Sequence, residues 1–332
     1  MRRREFIALV GRTAVGWPLA ARAQPGGPMR LIGVLMAFAE GDPAAQSDVA
    51  GFRDELKKLG WMEGKNLRIE LRWGAGDADR IKTFAKELVD LRPDAILGQT
   101  TPVIGALARE TRTIPIVFAV VSDPIGSGFG ASFAHPGGNI TGFTTNEPAV
   151  GGKWMGLLKE IAPRTVRVAL LFNPATAASL QFFSSSIQDA ASSLAVQASA
   201  APFHKKDEIE GVIAAQARNP GGALIVMPDA FFFNVPNRDW IIALAARYGV
   251  PTIYFTRLFV EQGGLISYSA DFAEEVRQAA GYIDRILKGA KPADLPMQLP
   301  IKYEMAINLK TATSLGLNIP PTLLARADEV IE

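Results

Sequence analysis

The chain has 332 residues, 48% of them hydrophobic and 20% charged, with a formal charge of +2 and no cysteine. That balance describes a well-cored globular protein and excludes a disordered one. It also leaves no disulfide and no lipid-modified cysteine, so stability rests on the size of the core. No clustered Lys/Arg face of the kind that phosphate binding demands is present, which argues against a nucleic-acid partner.

Residues 1–23 read as an export signal. Arg2, Arg3 and Arg4 form a basic head, residues 8–19 are mostly apolar, and Ala21-Arg22-Ala23 fits a small-x-small cleavage site. Arg3-Arg4-x-Phe6-Ile7 resembles the twin-arginine variant, so either that route or the general secretory one leads to the periplasm. Arg12 and Arg22 add to the basic head against Glu5 alone, which puts +4 of the charge here and leaves the remainder near −2. Roughly 309 residues remain after cleavage, and about 100–200 per domain suggests two domains.

From residue 31 the chain alternates short apolar runs with amphipathic stretches. Strands are expected at 31–36, 67–73, 95–97 and 114–121, with helices at 44–59, from 77 to about 91, and at 102–111. Val49, Phe52, Leu56 and Leu59 give the first helix its buried face. The pattern then restarts with helices at 150–161, 175–195, 207–218 and 235–248. The strands of this half are 166–172, 196–203, 223–227, 252–255 and 265–268, and a long amphipathic helix covers 271–288. Continuous apolar strands separated by helices imply parallel sheets with right-handed crossovers. The expected fold is therefore α/β, with two doubly wound lobes joined by a hinge. One lobe takes 30–143 plus 268–289 and the other 146–266 plus 295–328, with crossings near 142–151, 256–270 and 289–297.

In such sheets ligands gather beyond the carboxyl ends of the strands. One strand ends near Phe38. Another runs into Thr100-Thr101-Pro102, whose hydroxyls at a helix start suit a carboxylate or serve as simple capping. Ser122-Asp123-Pro124 follows a third strand, where Asp123 either accepts from an amine or caps the turn. In the second half the strand ends are Asn173-Pro174 and Asp229, followed by Phe231-Phe232-Phe233. Either some of these rings face the cleft or all three pack under the next helix. Asp271 is a helix cap or a ligand contact.

Catalytic signals are thin. His135 and His204 are the two histidines, and no nucleophile elbow, metal-spaced histidine pair or phosphate-binding glycine loop occurs. Binding without chemistry, cofactor or metal is the better account.

Five segments carry a resemblance. They are Gly98-Gln99-Thr100-Thr101-Pro102, the run from Ile114 to Pro124, Pro136-Gly137-Gly138-Asn139-Ile140-Thr141-Gly142, Asn308 to Ala312, and Ile319 to Val330. From about residue 30 onward the chain resembles the ABC-transporter substrate-binding family that binds tryptophan and other aromatic amino acids. The resemblance implies a type I periplasmic-binding-protein fold that closes on a small solute and passes it to an inner-membrane permease. It points to Thr100, Thr101, Ser122 and Asp123 in one lobe, to Asn173 and Asp229 in the other, and to Asp271. A freely diffusing monomer is expected. A sensory receptor for a membrane signalling partner, and an exported enzyme using cleft carboxylates, are the alternative expectations.

Overall fold

The computed structural model describes residues 29–177 and 180–332; the expected export signal lies outside them. The first half alternates β1 (Arg30–Met36), α1 (Pro43–Lys58), β2 (Leu67–Trp73), α2 (Ala78–Asp90), β3 (Ala95–Gln99), α3 (Thr101–Glu110), β4 (Ile116–Val121) and β5 (Ile140–Thr144). Its strands form one five-stranded sheet in the order β2-β1-β3-β4-β5, parallel throughout.

The second half continues with α4 (Val150–Ile161), β6 (Arg167–Phe172), α5 (Leu180–Ser193), β7 (Gln197–Pro202), α6 (Glu208–Ala217), β8 (Gly222–Val226), α7 (Val235–Tyr248), β9 (Thr252–Tyr254), α8 (Arg257–Glu261) and β10 (Ile266–Ala270). Helix α9 (Phe272–Leu287) then returns to pack on α1, β3, β4 and β5 of the first sheet. The chain crosses back into β11 (Tyr303–Asn308), α10 (Leu309–Ser314), α11 (Pro321–Leu324) and β12 (Glu329–Ile331). The seven strands of this half lie in the order β12-β11-β10-β9-β8-β6-β7. The result is two α/β lobes of parallel strands flanked by helices.

One pairing departs from the all-parallel expectation: β10 and β11 are antiparallel. The reason is the path of the chain. Strand β10 ends at the face between the lobes, α9 lies in the other lobe, and the chain re-enters at that same face. It can then only run back the other way. Strands β5, β11 and β12 and helix α8 were not expected from sequence periodicity, and residues 268–270 lie in the second sheet.

Packing explains the remaining elements. Helix α1 buries Val49, Phe52 and Leu56, and α9 buries Val276, Ala279, Ile283 and Ile286 on the opposing face. Asp42, Asp77 and Asp271 cap α1, α2 and α9 through first-turn N–H groups. Gly142, at φ 153°, lets β5 lie against β4, since a Cβ there would stand 2.1 Å from the Phe118 carbonyl oxygen. Gly142→Ala is expected to cost roughly 1–3 kcal/mol through overpacking. Urea unfolding measures it, and an unchanged midpoint would contradict this role for the glycine.

Candidate functional site

The carboxyl ends of the strands of both sheets face one another, and they meet around a tight cavity of about 30 Å³. From the first lobe come Thr100, Thr101, Val120 and Ser122, and from the adjoining segment Thr145. Asp229, Thr176, Phe233 and Phe255 come from the second, and Phe272 from the start of α9. A wider space of about 370 Å³ adjoins it, shares Thr101, Pro102 and Thr176, and includes Lys82 and Arg109 on its wall.

Polar and apolar groups both line the cavity. Phe233 stacks near Phe38 of the opposite lobe, with ring centroids 4.4 Å apart, and meets Phe255 and Phe272 at 5.9 and 6.4 Å. Also lining the cavity is the start of α3. Thr100 occupies its N-cap position with φ 81°, and its hydroxyl makes no capping bond. Among the described residues the buried hydroxyl of Thr100 has no hydrogen-bond partner, whereas the Thr145 hydroxyl interacts with the Glu275 carboxyl. Buried polar atoms are almost always paired, so an orphaned hydroxyl on the cavity marks a place where a polar guest is accommodated. The N–H groups of the ten-residue α3 add donors for an anion there.

Each residue singled out from the sequence has a definite place. Thr100, Thr101, Ser122 and Asp229 line the cavity. Ser122 also accepts from the Asn146 side chain at 3.3 Å. Asp229 is fully engaged inside its own lobe, accepting from the N–H groups of Asn173 and Phe231 and from the Thr176 hydroxyl. Burial pushes its carboxyl up to about 6, against the pull of those donors. Asn173 in turn accepts from the N–H of Ala175. The Asp123 carboxylate accepts from the Gly126 N–H at 2.7 Å and so holds its own turn. Phe38 reaches the cavity only through Phe233, while Phe231 packs on Phe203 and Phe232. Asp271 caps α9 and lies on a groove of about 340 Å³ where the chain crosses between lobes.

Sequence reasoning passed over Val120, Thr145, Phe255 and Phe272. Phe255 and Phe272 each follow directly on a strand end or its cap, a position that carries the necessary signal. Val120 and Thr145 sit beside a shift in strand register, which no periodicity reveals.

The lobes are joined around this site by charge. Arg238 on α7 donates to Asp42 at the start of α1 at 2.8 Å, with both side chains 2% exposed or less, and to the Gln262 side chain at 2.9 Å. Nearby, burial raises the Asp48 carboxyl to about 7; the negative charges of Asp271 and Asp42 reinforce this and Arg257 opposes it. Gly76 permits the close approach, because a Cβ there would lie 2.7 Å from the Ala230 carbonyl oxygen of the other lobe.

Comparison with known proteins agrees with this arrangement. A family model described as "ABC transporter substrate binding protein" matches residues 32–331. A "Tyrosine-binding protein" of Clostridioides difficile is 23% identical over 281 residues, covering 83% of this chain and 78% of that one. A conserved domain protein of Vibrio cholerae O1 biovar eltor superposes with a TM-score of 0.82 at 28% identity, over 91% of this chain and 99% of the other. An ABC domain from Streptococcus pneumoniae in complex with L-Trp gives a TM-score of 0.80 at 26% identity, over 91% and 100%.

Removing the guanidinium tests the charged contact between lobes. Arg238→Met leaves the Asp42 carboxylate without its counter-charge, which costs roughly 3–5 kcal/mol while the interface stays dry. The expected relief is separation of the lobes, read as a larger radius of gyration in solution scattering; an unchanged radius would contradict a joining role.

Proposed function

The chain belongs to the ABC transporter substrate-binding protein family, and we propose that it captures an aromatic amino acid between its lobes and delivers it, chemically unaltered, to a membrane permease. The export signal expected at residues 1–23 supports a periplasmic location. The observation that carries the reading is the mixed lining of the cavity: three phenylalanine rings together with the unpartnered buried hydroxyl of Thr100 at a helix N-terminus.

An amino acid matches that lining. Its carboxylate suits Thr100, Thr101 and Ser122 together with the first-turn N–H groups of α3. Its ring suits the space among Phe233, Phe255 and Phe272, where offset and edge-on ring contacts add to burial. The L-Trp complex and the tyrosine-binding relative support the same class of solute. At about 30 Å³ the cavity holds a water or two, so an amino acid enters only when the lobes part and the contacting rings of Phe38 and Phe233 separate, and the ligand then shifts the population toward a form closed around it.

Small molecules released from the purified protein by denaturation, identified by mass spectrometry, are expected to include L-tryptophan or L-tyrosine. Calorimetric titration with these two is expected to show micromolar or tighter binding, corresponding to about 8 kcal/mol or more. Thr100→Val is expected to weaken it about tenfold, the worth of a hydrogen bond to a charged group. Failure of both amino acids to bind, or their recovery as altered products, would overturn the reading.

A further inference from the structure

One stretch of the cavity lining has a backbone that departs from the regular sheet. Val120 has φ 58°, an uncommon conformation for a β-branched residue. It lies where the pairing of β4 with β5 slips, between Phe118 and Val121. Thr100, directly after β3, is its neighbour, linked through the Thr100 N–H to the Ala119 carbonyl at 3.0 Å, and is also strained at φ 81°. Both line the cavity. Strain of this kind persists only where the surroundings enforce it, and it clusters at ligand clamps.

What enforces it at Val120 comes from far along the chain. The Val120 N–H, turned off the ladder to β5, donates to Glu275 Oε2 at 2.9 Å. Glu275 lies on α9, 5% exposed, and its carboxyl also interacts with the Thr145 hydroxyl. We propose that Glu275 is a positioning residue for the solute cavity: its carboxyl holds the Val120 bulge that shapes the wall, and solute affinity depends on its protonation. The inference rests on the reading of this cavity as the solute site.

The surroundings favour the neutral acid. Burial pushes the Glu275 carboxyl up to about 8, the Val120 N–H and the Thr145 hydroxyl draw it back, and Asp271 on its own helix and Asp48 on α1 raise it further. Tyr303 faces it from β11. The remaining charges along the groove are paired with each other, Arg277 with Glu274 and Lys302 with Glu304. Neutral Glu275 sits in a dry interior, whereas the ionised form gains by reaching water, which means releasing the bulge. The closed form therefore binds the proton more tightly than the open one. Affinity is fully present below the ordinary carboxyl range of the open form, falls progressively as pH rises from there through about 8, and levels off above it.

Calorimetric titration of L-tryptophan at pH 7 and pH 9 tests this, and one coupled proton predicts about a tenfold loss over that interval. Glu275→Gln keeps a carbonyl for the Val120 N–H and cannot ionise. It is expected to bind within about threefold of the parent at pH 7 and to lack the tenfold loss; titration of the ligand's own ammonium affects both proteins alike. Glu275→Leu orphans the N–H and is expected to bind at least about fivefold more weakly at both pH values. Amide hydrogen exchange at Val120 gives an answer independent of ligand: protected in the parent and the Gln variant, exposed in the Leu variant. Protection retained in Glu275→Leu, or a pH dependence retained in Glu275→Gln, would overturn the proposal. If the parent binds neither L-tryptophan nor L-tyrosine while the exchange result holds, the solute class is wrong and the positioning role stands.

Discussion

Everything between the lobes is organised by the ion pair of Asp42 and Arg238. A charged pair with both members almost wholly out of water is expensive to form, and it is tolerable only when the geometry is good and other donors and acceptors are satisfied. Here one Asp42 oxygen accepts the guanidinium from the second lobe and the other accepts the Ala44 and Ala45 N–H groups at the start of α1, while Arg238 Nε donates to Gln262 and its Nη1 alone lacks a partner among the described residues. The contact between lobes thus ends on the very residue that begins a helix of the first lobe. Because a hydrated alternative exists for both charges when the lobes part, the pair contributes a modest net stability and a strong geometric preference.

The chain's route follows from the same face-to-face arrangement. Parallel strands carry their ends, and the loops after them, to one side of each sheet. Two such sheets opposed through those sides bring Thr100, Ser122, Asp229 and Phe233 together from positions more than a hundred residues apart. The antiparallel β11 is the consequence of leaving and re-entering a lobe at the same side. Lying between the two halves, α9 serves both: it packs on the first sheet and sends Glu275 to the N–H of Val120 behind the cavity wall.

Much of this was legible in the sequence. The helices at 150–161 and 235–248 coincide with α4 and α7, and the long helix expected over 271–288 differs from α9 by one residue at each end. These segments carry strong periodicity or clear caps, and the apolar runs of a parallel sheet are equally plain. Strand β5 escaped notice because its five residues include Gly142 and two threonines, and β12 because three residues give no period. Of the candidate site, Thr100 and Thr101 could be named from their place after a strand, but Asp123 and Asp229 presented the same signal and are engaged by their own turns. Sequence position says that a carboxylate stands at a strand end; only the fold says whether its oxygens are already occupied.

The central claim is that one solute is gripped from both lobes at the strand ends. Amide hydrogen exchange with and without saturating L-tryptophan addresses it residue by residue. The account predicts added protection in two separate segments, 100–104 and 229–233, both appearing at the same ligand concentration. Protection confined to one lobe, or located away from both segments, would contradict it.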